Sequence, residues 1–273
     1  MSRYTASDGA WLHYTDTGEG LPVICLAGLT RNATDFDYMA PYLDGVRLIR
    51  PDYRGRGQSV WSGAATYTLQ REGLDVIELL DHLGLRSAAI LGTSRGGIIA
   101  MGLAATVKDR IKGICLNDIG PDIAPEGLEA IKGYLGIRPT FQTREEAVQA
   151  RAKLMAGFEN VPESRWREEV DRHYITGAQG LYFNYDPALR TAVLDGPQNL
   201  NPDLWPFFDA MDGLPLALIR GANSNLLTAE TAQKMQDRRP DMIFAEVPDR
   251  GHVPFLDEPQ SLQAITAWLE KMR

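Results

Sequence analysis

Residues 88–107 read AAILGTSRGGIIAMGLAATV, and this stretch decides the fold. The apolar run Ala88–Leu91 predicts a buried strand, and Ile98–Val107 predicts a helix. Between them, residues 92–96 read GTSRG, a G-x-S-x-G pattern in the strand–turn–helix context that this motif requires. Glycines leave room for a sharp turn that holds a serine hydroxyl exposed. The pattern therefore predicts a nucleophile elbow, with Ser94 as the nucleophile.

Short apolar runs of the same kind recur along the chain, each bounded by turn signals. They occupy residues 23–26, 46–49, 114–116, 216–219 and 242–245. Helical periods such as Leu69–Leu83 and Pro259–Met272 separate several of them. This alternation favours a parallel sheet with right-handed crossovers. The looser alternation from Tyr4 to Asp16 predicts an antiparallel hairpin at the edge of the sheet.

The region between Asn117 and Leu214 interrupts this alternation of strands and helices, because it contains no clear apolar strand. Its periods predict helices over Pro125–Leu135, Thr143–Phe158 and Pro162–Tyr174. Nearly half of the aromatic residues of the chain lie in residues 121–212. We interpret 121–212 as a helical cap inserted into a core formed by 1–120 and 213–273. The aromatic residues either fill a small core of the cap or line a pocket that the cap closes.

A serine nucleophile needs a base, and the chain offers four histidines. His252 follows the last apolar run, which places it at the same carboxyl edge of the sheet as Ser94. His13, His82 and His173 are better explained as surface or structural residues. Among these three, His173 in the cap is the best candidate for an additional pocket residue.

Four sequence features together resemble the α/β-hydrolase superfamily over nearly the whole chain. They are LAGL at 26–29, DYRGRGQS at 52–59, the Ser94 elbow and Gly251-His252. The resemblance implies a mostly parallel eight-stranded sheet, a helical cap between strands six and seven, and no cofactor. It also implies an oxyanion hole formed by the backbone N–H groups of Leu29 and Arg95.

The acid that orients the histidine departs from the common pattern. Many α/β-hydrolases carry it after the seventh strand, where this chain has Asn225, and an amide supplies no negative charge. Some relatives, including haloalkane dehalogenases, take it instead from the loop after the sixth strand, where this chain has Asp118. We predict Asp118 as the acid. The alternatives are a site disabled by Asn225, naturally or by engineering, and Asn225 itself orienting His252.

Two arginines lie next to these motifs. Arg95 follows the nucleophile, and Arg31 follows the oxyanion loop. Guanidinium groups form forked hydrogen bonds with carboxylates, so Arg31 is a candidate for binding an anionic group of the substrate. The alternative is that these arginines form ion pairs with local acids such as Asp35.

Composition excludes several classes of function. The 273 residues include 28 Lys+Arg and 36 Asp+Glu, and the net charge of −8 argues against nucleic acid as a partner. No apolar run is long enough for a membrane span, and the N-terminus lacks the apolar region of a signal peptide. We therefore expect a cytoplasmic protein in which Cys25 and Cys115 are buried free thiols. The histidines and cysteines are not spaced as metal ligands.

These observations together predict a cofactor-independent serine hydrolase of a carboxylic ester, lactone or related acyl compound that acts through an acyl-enzyme. Its expected partner is a small acyl substrate, and the sequence does not indicate an oligomeric state. A carbon–carbon bond hydrolase or an amidase would use the same residues. A cofactor-free oxygenase with His252 as base is a further alternative. Asn225 also leaves open a ligand-binding protein without catalysis on the same fold.

Overall fold

The computed structural model describes residues 2–178, 180–195 and 203–273. Eight of its strands form one sheet in the order β1-β2-β4-β3-β5-β6-β9-β10, and β7 and β8 form a separate antiparallel pair. Within the eight-stranded sheet, β2 pairs antiparallel with β1 and with β4, and the other pairs are parallel. The strands are β1 (Ser2–Thr5), β2 (Trp11–Gly18), β3 (Leu21–Leu26), β4 (Val46–Pro51), β5 (Ala88–Thr93), β6 (Ile111–Asn117), β7 (Tyr174–Gly177), β8 (Gly180–Phe183), β9 (Leu216–Gly221) and β10 (Ile243–Val247).

Helices cover the sheet and connect its parallel strands. They are α1 (Leu69–His82), α2 (Arg95–Thr106), α3 (Pro125–Tyr134), α4 (Arg144–Leu154), α5 (Glu163–His173), α6 (Leu189–Leu194), α7 (Trp205–Asp209), α8 (Ala229–Arg238) and α9 (Pro259–Glu270). Every residue of β5 and of β9 is buried, which explains why these strands are continuous apolar runs in the sequence. The edge hairpin predicted from Tyr4 to Asp16 is β1 with β2.

Between β6 and β9 the chain leaves the main sheet and forms α3 to α7 and the β7–β8 pair. The three predicted helices are present as α3, α4 and α5. The β7–β8 pair was not predicted, because each strand has only four residues and most of β7 is exposed, so β7 forms no apolar run beside the short one of β8. The boundaries 121–212 remain a prediction, and residues 179 and 196–202 of that range lie outside the described residues.

Aromatic side chains of this region take both of the roles that the sequence left open. Trp166 is buried and packs edge-on against Phe158 and Phe255, within an apolar cluster that joins α4 and α5 to the core segments at Tyr38 and Phe255. Other aromatic residues line a cavity that is described below. The region is therefore attached to the sheet by its own hydrophobic core.

Cys25 in β3 and Cys115 in β6 are buried free thiols, as predicted. Burial raises the pKa of both, to about 12 for Cys25, so neither is a reactive thiolate near neutral pH. Over the described parts of the chain, no helix has the length and apolar character that a membrane span requires.

Candidate active site

The turn that carries Ser94 has the geometry that its sequence predicts. Ser94 stands between the end of β5 and the start of α2, with φ 50° and ψ −116°. A non-glycine residue held in such a conformation costs on the order of 1–3 kcal/mol. Close packing explains the flanking glycines, because a Cβ added to Gly96 would lie 2.1 Å from the Leu26 carbonyl oxygen. A Cβ added to Gly92 would lie 2.6 Å from the Gly96 backbone.

The structure brings Ser94, His252 and Asp118 into one hydrogen-bonded chain. His252 Nε2 lies 2.9 Å from Ser94 Oγ, and His252 Nδ1 lies 2.7 Å from Asp118 Oδ2. His252 is on the loop after β10, and the fully buried Asp118 directly follows β6. The parallel order of the sheet places both loops beside the elbow after β5, as expected for the carboxyl ends of parallel strands.

Further hydrogen bonds hold the Asp118 carboxylate in place. Its Oδ1 accepts the Gly221 backbone N–H at 2.8 Å, and its Oδ2 also accepts the Ser224 hydroxyl at 2.6 Å. Sequence reasoning missed Ser224, although it stands next to Asn225 in the loop after β9. Asn225 itself is exposed and lines the cavity, and the hydrogen bond from His252 Nδ1 is with Asp118.

The two proposed oxyanion donors belong to the loop after β3 and to the start of α2. Arg95 is the first residue of α2, so its backbone N–H belongs to a helix N-terminus, which favours negative charge. Leu29 follows Gly28, and a Cβ added to Gly28 would lie 3.8 Å from the Ser94 Cβ. The loop that carries Leu29 therefore passes close to the Ser94 side chain, and Leu29 and Ser94 line the same cavity.

A cavity of about 560 Å³ opens beside Ser94 and His252. Loops of the sheet edge form one side of it, and residues from α3, α4, α5, β7 and β8 form the other. Its aromatic lining consists of Tyr134, Phe141, Phe158, Tyr174, Phe183, Tyr185 and Phe255. This size and apolar character suit a small organic ligand.

One wall of the cavity carries a buried network of charges. Arg31 donates to Asp35 at 2.7 Å and to Glu169 at 2.8 Å, and Arg151 donates to the same Glu169 oxygen at 3.1 Å. Burial alone would raise the pKa of Glu169, but the charges of Arg31, His173 and Arg151 together hold it far below its usual range. The ion pair with Asp35, the alternative that we considered for Arg31, is thus present, while Arg31 still lines the cavity.

The remaining histidines occupy different environments. His173 lines the cavity and is 2.8 Å from Asp35. His13 is buried and is 2.8 Å from Asp52, which makes it a structural residue, and His82 is exposed.

Comparison with known proteins agrees with this fold. Residues 23–264 match the profile of a family described as Alpha/beta hydrolase family. The chain belongs to this family. The α/β hydrolase is 34% identical to a 3-hydroxybutyrate-oligomer hydrolase of Cupriavidus necator, over 93% of this chain and 89% of that protein.

A solved structure resembles this α/β hydrolase closely. An alpha/beta hydrolase from Novosphingobium aromaticivorans superposes with a TM-score of 0.91 at 37% identity, covering 99% of this chain and 97% of that one. A more distant relative is a 2-(acetamidomethylene)succinate hydrolase of Mesorhizobium japonicum, 25% identical over 95% of this chain and 91% of that protein. All three of these relatives are named hydrolases.

Proposed function

We propose that this protein is a serine hydrolase that cleaves carboxylic esters through an acyl-enzyme. The observation that carries the proposal is the hydrogen-bonded chain Ser94–His252–Asp118 at the wall of a cavity large enough for a small acyl substrate. The relative named a 3-hydroxybutyrate-oligomer hydrolase supports an ester bond, because oligomers of a hydroxy acid are esters.

The geometry suits a two-step reaction. Ser94 Oγ attacks the ester carbonyl while His252 Nε2 takes its proton, and buried Asp118 stabilises the imidazolium through Nδ1. The N–H groups of Leu29 and Arg95 then donate to the oxyanion of the tetrahedral intermediate. When the intermediate collapses, His252 returns the proton to the leaving alcohol. Water, activated by His252, hydrolyses the acyl-enzyme and releases the acid.

The charges around the cavity favour a substrate that carries a carboxylate. Among the described residues that line the cavity, three are arginines and one is a carboxylate, Glu169, while Asp35, which also pairs with Arg31, does not line it. Arg31 and Arg151 are adjacent, since both donate to one oxygen of Glu169. We propose that these two arginines bind the free carboxylate of the substrate, as the terminal carboxylate of a hydroxy-acid oligomer requires.

The proposal is tested with a fluorophosphonate probe, which reacts with activated serines. The wild-type protein should be labelled, and Ser94→Ala should lose both the label and the hydrolysis of a short-chain p-nitrophenyl ester. Circular dichroism should show that Ser94→Ala remains folded. Absence of labelling in folded wild-type protein would instead favour a ligand-binding protein on this fold, the alternative that Asn225 raised.

A further inference from the structure

A buried carboxylate connects the two residues that carry the proposed oxyanion donors. Glu72 lies in the first turns of α1 and has no exposed surface. Its Oε1 accepts a hydrogen bond from Arg56 Nη1 at 2.6 Å, and its Oε2 accepts one from Arg95 Nε at 2.6 Å. We call Arg56, Glu72 and Arg95 the buried bridge.

On one side, the bridge holds the loop that contains Leu29. Arg56 is also fully buried, and its Nε donates to the Leu29 carbonyl oxygen at 2.9 Å. A second hydrogen bond, from Arg56 Nη1 to the Arg54 carbonyl at 2.7 Å, fixes the guanidinium. The anchored carbonyl belongs to the peptide unit between Leu29 and Thr30, which is next to the unit that carries the Leu29 N–H, so Arg56 holds the loop directly beside that donor.

On the other side, the bridge holds the first residue of α2. The Arg95 side chain donates to Glu72 and, through Nη2, to the Tyr67 carbonyl at 3.1 Å. The side chain of Arg95 is therefore engaged in the protein, while its backbone N–H is the donor next to Ser94. Sequence reasoning considered Arg95 for its charge, and its buried partner was not visible in the local pattern.

The bridge is a buried ion network of two guanidiniums and one carboxylate. Two guanidiniums share one carboxylate, so the bridge has a net charge of about +1 if every group is ionised. Burial would raise the pKa of Glu72, but the charges of Arg56 and Arg95 outweigh it and keep the pKa below its usual value. Hydrogen bonds between ionised groups are strong in a buried environment, so they hold the Arg56 and Arg95 side chains in place.

We propose that Glu72 is a positioning residue, which through Arg56 and Arg95 holds the two segments that carry the oxyanion donors in place. This inference rests on the proposed ester hydrolysis. It assigns Arg56 and Glu72 a part in catalysis that does not involve contact with substrate.

The test compares Glu72→Gln with Asp75→Asn. Asp75 is a matched control, because it is buried one turn further along α1 and pairs with Arg54 and Arg71 rather than with the bridge. Glu72→Gln should lower kcat about tenfold or more with little change in KM. It should weaken inhibition by a trifluoromethyl ketone analogue of the ester by a similar factor, because that adduct carries the oxyanion. Asp75→Asn should retain the wild-type kcat and inhibition constant.

The controls distinguish failure of the proposed function from failure of the bridge proposal. If the wild type does not hydrolyse the ester, or Ser94→Ala still does, the proposed function fails. If those controls behave as expected but Glu72→Gln keeps the wild-type kcat and inhibition constant, or raises only KM, the bridge proposal is overturned.

A second pair of variants covers the case in which Glu72→Gln does not fold. Arg95→Gln breaks the link from the other side and should lower kcat and inhibitor affinity together, whereas Arg95→Lys should restore much of both. Wild-type values in Arg95→Gln would overturn the proposal.

Discussion

Asp118 occupies its position because its backbone and its carboxylate are both constrained. Its φ of 54° directs the side chain out of the end of β6, and the Gly221 N–H and the Ser224 hydroxyl hold the two carboxylate oxygens. The remaining contact of Oδ2 is His252 Nδ1. A carboxylate in this position favours the tautomer of His252 whose Nε2 accepts the serine proton.

At the scale of single residues, the prediction concerns which side chain orients His252. Asp118→Asn should lower kcat by about 10³- to 10⁴-fold, because an amide neither selects that tautomer nor stabilises the imidazolium. Asn225→Asp should leave kcat close to the wild-type value, since Asn225 does not contact His252 Nδ1. Steady-state ester hydrolysis measures both. A gain of about a thousandfold in Asn225→Asp, with little change in Asp118→Asn, would show that the assignment is wrong.

At the scale of elements, α4 and α5 supply the charged wall of the cavity. Arg151 of α4 and Glu169 of α5 meet at Arg31, which belongs to the loop after β3. Each helix thus contributes one charged side chain to a network whose third member, Arg31, belongs to the loop after β3. The arginines face a cavity whose other lining is largely apolar, so their charge is screened less than at the surface.

The prediction for these elements uses two esters of equal length, one with a free carboxylate and one neutral. Arg151→Gln should raise the KM of the anionic ester about tenfold, as expected for loss of a charged hydrogen bond, and leave that of the neutral ester nearly unchanged. Arg31→Gln should also raise the KM of the anionic ester more than that of the neutral ester. Arg144→Gln is the control, because Arg144 lies on the same helix and pairs with exposed Asp171. Equal changes in KM for the two esters would exclude carboxylate binding.

At the scale of the whole molecule, α5 is tied to the core by polar contacts as well as by apolar packing. Glu169 contacts Arg31 and Tyr38, and His173 contacts Asp35. Burial and the charge of Arg31 lower the pKa of His173, although Glu169 and Asp35 act in the opposite direction. Folded protein therefore keeps this histidine neutral to a lower pH than unfolded protein does.

This shift predicts how stability changes with pH. As the pH falls through about 6.5, the unfolded state takes up a proton at His173 before the folded state does, so the free energy of unfolding decreases. Urea denaturation at pH 7.5 and 5.5 should show a smaller decrease in His173→Gln than in the wild type. The exposed His82→Gln serves as the control and should match the wild type. An equal decrease in all three proteins would contradict the prediction.

Local patterns in the sequence were sufficient to predict the buried strands and the Ser94 turn, because burial and close packing restrict which residues can occupy them. Strands buried on both faces must be continuous apolar runs, and a strand–serine–helix turn has no space for side chains at Gly92 and Gly96. For this reason the sheet and the Ser94 elbow were predicted correctly. The β7–β8 pair was missed, because short, largely exposed strands carry no such pattern.

Residue patterns were enough to predict the fold, Ser94, His252 and two candidate acids, but the contacts among these residues depend on how the elements pack. Asp118 rather than Asn225 forms the hydrogen bond with His252 Nδ1. Arg31 pairs with Asp35, four residues away in the chain, and also with Glu169, which is 138 residues away. The bridge from Arg56 through Glu72 to Arg95 also became visible only in three dimensions. The physical reason is that hydrogen bonds and ion pairs depend on distances of about 3 Å in space. Strand order and helix packing set those distances between residues that are far apart in the chain.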